Sequence, residues 1–261
     1  GSAASILIDI DKFMIPQKEV ISQTAFYAVA VFIATVVEIP GRAMFQIVNP
    51  LVAKALNEND FKGLETLYKK SSLNLIIVSG LFFLLINLNV NPFYNLILDS
   101  SYSTAVLVVL IISVSKLILM SFGCGPAILA TAKFYKITLP FSLLMAVSVY
   151  FLNDKLIDLY SINGAALSTL IVIFVFTFLK IIYLKYKLKI QPYSSSTLKV
   201  FILIAILFFI TDSVDFNHNY LVEIIVKSVS VSAVYIILIY AMGISNEINS
   251  VIKKILSKFS F

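Results

Sequence analysis

Two residues of opposite charge lie near the middle of a long apolar stretch, residues 22–48, and are the first candidates for chemistry. Glu38 and Arg42 are four positions apart, so on an α-helix they would share one face. A charge at membrane depth costs about 2.5–3.5 kcal/mol on insertion scales, so it usually faces protein or a water-filled cavity. Arg42 is a candidate for binding a phosphate or a sugar, since guanidinium binds phosphate bidentately. Simple pairing of Arg42 with Glu38 is an equally weighted alternative.

Pro40 and Gly41 stand between these two charges. Proline removes a backbone hydrogen bond and glycine loosens the same turn, so the sequence predicts a kink here. At about 1.5 Å per residue, residues 22–48 are long enough to cross a bilayer even when the helix is tilted. A kinked and charged membrane helix indicates a polar cavity.

Three acidic residues, Asp9, Asp11 and Glu38, are candidates for coupling to protons or cations, because carboxylates at membrane depth often serve as such sites. Structural pairing with Lys12 and Arg42 is the favoured interpretation of these carboxylates. Lys12 would either line the cavity or extend to the outer interface, and the second placement is favoured.

Lys116 lies in the middle of another apolar run, residues 104–122. A lysine facing lipid at that depth would be costly, so we expect it in the cavity or between helices. Several tyrosines near the ends of apolar runs, among them Tyr27 and Tyr94, are interpreted as an aromatic belt at the membrane interface.

The composition of the whole chain is that of a membrane protein. Of 261 residues, 60% are hydrophobic and 13% are charged, and the mean hydropathy is +0.98. A soluble domain of this length has a much lower apolar share, and a β-barrel would show short alternating segments instead of continuous runs. The sequence therefore predicts an all-α, polytopic transmembrane bundle. The net charge of +6 is interpreted as setting orientation and not as nucleic-acid binding.

The apolar runs predict about eight spans. The first, in residues 1–15, is incomplete, so we expect that an N-terminal part of the protein is missing. The other predicted spans are residues 22–48, 72–89, 104–122, 137–152, 164–184, 198–211 and 221–242. Turn-forming pairs separate several of them, including Asn91-Pro92, Asn153-Asp154 and Asn163-Gly164.

Residues 57–70 have an amphipathic pattern and are predicted as a cytoplasmic helix, lying either on the membrane surface or in a solvated loop. With that side taken as cytoplasmic, fourteen of the twenty lysine and arginine residues fall in cytoplasmic segments, against Lys18 and Lys155 outside. This bias predicts a cytoplasmic C-terminus. The tail from residue 245 onward is a basic amphipathic segment.

The order of these features resembles the C-terminal half of bacterial polysaccharide-biosynthesis membrane proteins of the O-antigen flippase type. These belong to the superfamily that also contains multidrug exporters and lipid II flippases. The segments that carry the resemblance are residues 10–15, Tyr27, residues 38–42, 49–53, 59–71, 123–129 and 163–166. At Gly123-Cys124-Gly125 the chain departs from the Gly-x-Asn turn that the family pattern would have.

The resemblance implies a fourteen-helix transporter, of which this chain would hold the last eight helices. Residues 1–190 would form the C-terminal six-helix lobe, and residues 191–261 two additional helices and a basic cytoplasmic tail. The implied activity is alternating-access flipping of an undecaprenyl-pyrophosphate-linked oligosaccharide across the bacterial inner membrane, for assembly of lipopolysaccharide O-antigen. The implied partners are this lipid-linked oligosaccharide, membrane lipids, the N-terminal half and other polysaccharide-assembly proteins.

Two other functions remain as alternatives. A drug or cation exporter of the same superfamily is one, although basic residues at depth suit an anionic substrate better. A membrane enzyme of polysaccharide assembly is disfavoured, because the outer loops are short and no nucleophile–base pair or phosphate-binding glycine loop is present.

Cys124 and His218 are the single cysteine and histidine, so neither a disulfide nor a metal site is expected. No ATP-binding motif is present and no cofactor is expected, so an ion gradient or the membrane potential would supply energy.

Overall fold

The computed structural model describes residues 10–131, 134–213 and 219–259. Every regular element in that part of the chain is helical, which confirms the all-α fold class. The helices are α1 (Ile10–Lys18), α2 (Ile21–Ala34), α3 (Ile39–Asn57), α4 (Phe61–Ile97), α5 (Val106–Ser121), α6 (Gly125–Ala130), α7 (Tyr135–Leu188), α8 (Ser195–Asp212), α9 (Tyr220–Ala241) and α10 (Asn246–Phe259). Two 3₁₀ turns, Thr35–Glu38 and Ser100–Ala105, precede α3 and α5.

Six of the described helical segments are long and apolar enough to cross a membrane, so the chain is a multi-pass membrane protein. One of them, α7, reverses direction at Ser161, whose backbone is not helical. The two arms of α7 run antiparallel, as two contacts along them show: the rings of Phe141 and Phe176 meet, and the hydroxyl of Ser168 donates a hydrogen bond to the carbonyl oxygen of Val149. If the two arms of α7 are counted separately, the described residues contain seven apolar helical segments. Of the first predicted span, only the part in α1 belongs to the described residues.

The reversal in α7 requires a glycine. A Cβ atom on Gly164 would lie 1.9 Å from the carbonyl oxygen of Leu156, so only glycine fits this close return of the chain. The turn predicted at Asn153-Asp154 is absent, because both residues lie inside the first arm of α7. The predicted turn at Asn163-Gly164 is close to the observed one.

The amphipathic segment predicted near residues 57–70 is not a separate helix. It forms the first turns of α4, which begins after Asp60 and continues without interruption to Ile97. The carboxylate of Asp60 accepts a hydrogen bond from the backbone N–H of Gly63 and caps the helix. Leu64 and Tyr68 are fully buried against α3 and α6, so this apolar face packs on protein and does not lie on the membrane surface.

Helix α4 is the central element of the bundle and packs against α3, α5, α8 and α9. Helices α8 and α9, which the sequence analysis assigned to a separate C-terminal pair, share a hydrophobic core with it. The hydroxyl of Tyr235 on α9 donates a hydrogen bond of 2.8 Å to the carbonyl oxygen of Ile77 on α4. These contacts fix the last helices against the rest of the described bundle.

Replacement of Gly80 by alanine should lower the free energy of unfolding by about 1–3 kcal/mol, the usual cost of overpacking. The added Cβ would lie 2.3 Å from Cδ1 of Ile204 and 3.0 Å from the hydroxyl of Tyr235. An unfolding titration in mixed detergent micelles measures the change. Because valine lacks the Cδ1 atom, the Gly80→Ala, Ile204→Val double variant should lose less than the sum of the two single variants. If the losses of the two single variants simply add in the double variant, residues other than Ile204 move to accommodate the new Cβ atom.

Candidate functional site

A buried carboxylate joins three helical segments near one end of the bundle. Asp11 on α1 is only 2% exposed. Its carboxylate accepts hydrogen bonds from the hydroxyl of Tyr27 on α2, from Nδ2 of Asn153 at 2.6 Å and from Oγ1 of Thr169 at 2.7 Å. Asn153 and Thr169 lie on the two arms of α7. The ion pair of Asp11 with Lys12 that the sequence favoured is not among these contacts, and Lys12 lies on the exposed side of α1.

The Asp11 site is rich in oxygen atoms. Besides the two carboxylate oxygens, it contains the hydroxyls of Tyr27 and Thr169, together with Oδ1 of Asn153, which is buried and has no hydrogen-bond partner in the described structure. Buried polar atoms without a partner are rare and often mark a site for a proton, an ion or a water. Hard monovalent cations prefer oxygen ligands of this kind, so the arrangement suits a proton or a small cation.

Sequence reasoning found Asp11 but missed the three residues that bind it. Tyr27 and Tyr94 were assigned to an aromatic belt, yet both are buried in the same hydrophobic cluster. Asn153 was interpreted as a turn residue. Thr169 carried no signal, because threonine is common in apolar helices. The separations of 142 and 158 residues from Asp11 explain why no local pattern could have linked them.

The second candidate carboxylate forms an ion pair between helices. Oε2 of Glu38 lies 2.9 Å from Nζ of Lys116 on α5, and their side chains are 22% and 8% exposed. The predicted pairing of Glu38 with Arg42 is wrong. Glu38 ends a 3₁₀ turn, and there the spacing that brings residues i and i+4 together on an α-helix does not hold. Lys116 lies between helices, which is one of the two placements expected for it.

The 3₁₀ turn Thr35–Glu38 separates α2 from α3 and interrupts the α-helical hydrogen-bond pattern directly before the predicted kink. Pro40 lies in the first turn of α3, where the missing N–H of proline costs no helical hydrogen bond. Gly41 is buried, and a Cβ atom there would lie 2.7 Å from Sδ of Met120 on α5. These two residues allow α3 to start immediately after the turn and to approach α5 closely.

Arg42 belongs to a polar face on α3. Arg42, Gln46 and Asn49 are all exposed, and their spacing of four and three residues places them on one side of the helix. None of the described residues forms an ion pair with Arg42. A polar face on a helix that continues a membrane span is costly against lipid, so it indicates a water-filled cavity or another protein surface. We call these three residues the α3 polar face.

Asp9, the remaining candidate carboxylate, and His218, the single histidine, lie outside the described residues. Within residues 10–131, 134–213 and 219–259, no cluster of three His, Cys, Asp or Glu side chains has the proximity of a metal site.

An apolar groove follows α8 on the side that faces α5. It consists of two adjoining cavities of about 320 and 310 Å³, which share Ile118 and Phe201 as lining residues. One end of the groove is polar, because the hydroxyls of Ser121 and Tyr193 lie 2.9 Å apart there. The remaining walls are mainly aliphatic and aromatic, which suits a hydrocarbon chain. We call this feature the α8 groove.

The comparisons with known proteins give no relative to guide the assignment, since no protein-family model, curated protein or solved structure matches the chain.

Proposed function

We propose that the chain forms one lobe of a transporter that flips an undecaprenyl-pyrophosphate-linked oligosaccharide across the bacterial cytoplasmic membrane for O-antigen assembly. The observation that carries the proposal is the α3 polar face, with Arg42 exposed on a membrane helix. A pyrophosphate group is a suitable ligand for Arg42, because guanidinium binds phosphate through two parallel hydrogen bonds. Gln46 and Asn49 extend the same face with uncharged groups that hydrogen-bond sugar hydroxyls.

The α8 groove supports a lipid-linked substrate over a soluble one. Its apolar walls would hold the isoprenoid chain, while the polar part of the substrate would lie in a water-filled cavity beside the α3 polar face. In this proposal a second lobe, the N-terminal half of the transporter, faces the α3 polar face, and the two lobes rock about a shared cavity. The lysine bias supports a cytoplasmic C-terminus for this lobe.

The Asp11 site supports coupling to an ion gradient. The carboxylate binds groups on α2 and on both arms of α7, so a change in its charge alters the contacts between these helices. Binding of a proton or cation there would favour one packing of the bundle over another, which is the energetic requirement for coupled transport. The Glu38–Lys116 pair has a different role in this proposal, since it holds the 3₁₀ turn against α5.

The proposal is tested in proteoliposomes containing the full-length protein and a fluorescent undecaprenyl-pyrophosphate oligosaccharide. Leaflet exposure of the label, followed by a membrane-impermeant quencher, gives the flipping rate. Arg42→Ala should lower this rate about 10–100-fold, because a hydrogen bond to a charged group contributes about 1.5–3 kcal/mol. Lys185→Ala is the matched control, since Lys185 is an exposed cation at the end of α7 and does not belong to the α3 polar face.

Each outcome of this experiment has a defined meaning. Flipping that is equally fast in native protein and Arg42→Ala would remove Arg42 from the substrate site while keeping the function. Absence of flipping by the native protein, together with gradient-driven movement of an organic cation, would contradict the flippase proposal and favour an exporter.

A further inference from the structure

The last described helix has two chemically different sides. In α10 the apolar residues recur at positions 248, 251, 252, 255, 256 and 259, with the spacing of one helical face. Lys253 and Lys254 stand on the other side and are exposed. With 14 residues, α10 is too short and too polar to cross a bilayer. A helix of this type is suited to the interface between lipid and water.

The first turn of α10 and the residue just before it contact α4 within the first half of that helix. Nζ of Lys70 lies 2.6 Å from Oε1 of Glu247, and the hydroxyl of Ser245 donates a hydrogen bond of 2.7 Å to Oδ1 of Asn74. The hydrogen bond from Lys70 holds the pKa of Glu247 below its ordinary value, so this carboxylate stays charged at neutral pH. These contacts orient α10 relative to the membrane helices from its first residues.

An apolar groove of about 340 Å³ opens between α4, α9 and α10. Its walls are Ile77, Val78 and Leu81 on α4, Tyr235, Ile236 and Ile239 on α9, and Ile248, Val251 and Ile252 on α10. Protein covers this surface only in part, since the exposed fractions are 56% for Val251, 41% for Ile236 and 37% for Val78. Two of the three walls are membrane helices, so acyl chains surround the groove in a bilayer.

The charges beside this groove define the lipid that fits it. Glu247 forms an ion pair with Lys70. Neither Lys253 nor Lys254 has an acidic partner among the described residues. Lysines just above the hydrocarbon region attract anionic headgroups, and each contributes about 1 kcal/mol. We propose that α10 lies at the membrane surface and binds an anionic phospholipid, whose acyl chain occupies this groove and whose phosphate contacts Lys253 and Lys254. This inference does not depend on the transported substrate.

Native mass spectrometry of the detergent-purified full-length protein tests the headgroup preference, with phosphatidylglycerol and phosphatidylcholine as the two probes. The native protein should retain phosphatidylglycerol preferentially. Lys253→Gln, Lys254→Gln should lower that affinity about fivefold for each lysine, which corresponds to about 1 kcal/mol per charge. The matched control is Lys185→Gln, Lys187→Gln, which removes two exposed lysines at the end of α7 that do not adjoin this groove, and it should lower the preference much less. Equal losses in both double variants would overturn the proposal.

A fluorescence measurement in lipid nanodiscs tests the position of α10 independently of lipid affinity. A bimane label on Val251→Cys should be quenched strongly by phosphatidylglycerol with brominated acyl chains. The same label on Ser250→Cys, one residue away and exposed on the polar side, should be quenched much less. The native Cys124 is fully buried and does not compete for the label. Equal quenching at both positions, or a Val251 label shielded from lipid by another protein, would overturn the proposed arrangement.

Discussion

Replacing Lys116 by methionine should lower the free energy of unfolding by about 3–5 kcal/mol, because it leaves the Glu38 carboxylate without a partner between helices. The two groups are 2.9 Å apart, and the lysine side chain is 8% exposed, so water cannot easily replace the missing ammonium group. Methionine keeps most of the side-chain volume, so the loss reports the charge and not the packing. An unfolding titration in mixed detergent micelles, followed by circular dichroism, gives the free energy.

A second substitution separates the charge from other effects. In the Glu38→Gln, Lys116→Met double variant no unpaired charge remains, so stability should return to within about 1–2 kcal/mol of the native protein. The exposed pair of Lys54 and Glu58 serves as the control, with its charged atoms 3.9 Å apart and its side chains 70% and 60% exposed. Lys54→Met should change stability by less than about 1 kcal/mol. A similarly small loss in Lys116→Met would show that Glu38 is solvated and does not depend on Lys116.

Substitution of Asp11 by asparagine should remove the dependence of flipping on an imposed ion gradient while the protein stays folded. The amide oxygen still accepts a hydrogen bond, and the hydroxyls of Tyr27 and Thr169 can turn to accept from the new amide group. The negative charge that would bind a proton or cation is lost. The measurement is the initial flipping rate in proteoliposomes, with sodium or proton gradients imposed one at a time. Native protein should respond to one gradient and Asp11→Asn to neither.

Cation binding at Asp11 also has a readout that does not need transport. If sodium binds there, it should raise the melting temperature of the native protein in detergent and leave that of Asp11→Asn unchanged, since a ligand stabilises only a state that binds it. Asp99→Asn is the matched control, because Asp99 is an exposed carboxylate that caps the 3₁₀ turn before α5 and asparagine preserves the cap. A gradient response in Asp11→Asn equal to that of the native protein would exclude Asp11 from coupling.

The helical membrane fold was predictable, because long apolar runs leave few alternatives once backbone groups must be paired inside lipid. The helix ends were less predictable. Asn91-Pro92 was interpreted as a turn, yet both residues lie inside α4. Asparagine favours turns in water because its side chain competes for backbone groups. In this bundle Asn87 and Asn89 instead donate to carbonyl oxygens one turn earlier in the same helix, which leaves the helix intact.

The candidate site was predictable only where its residues are local in sequence. The kink at Pro40 and Gly41 was predicted from the residue types alone, and a 3₁₀ turn lies directly before these residues. The partners of the charged groups are not, because Lys116 lies 78 residues from Glu38, and Thr169 lies 158 residues from Asp11. Such pairs depend on which helices become neighbours, and the hydrophobic pattern of a membrane helix does not specify its neighbours. From the sequence, Arg42 was the nearest opposite charge and hence the expected partner if Glu38 formed an ion pair, whereas the observed partner is Lys116.

The length of α4 has a mechanical consequence. Its 37 residues extend about 55 Å, whereas the hydrocarbon region of a bilayer is about 30 Å thick. A rod of that length is a lever, and tilting it by about 10° around its midpoint moves each end by about 5 Å. Because α3, α5, α8 and α9 all pack against it, a tilt of α4 would shift four neighbouring helices together. If α4 tilts around its midpoint, the far end of the helix therefore moves further than Lys70 does, and in the opposite direction.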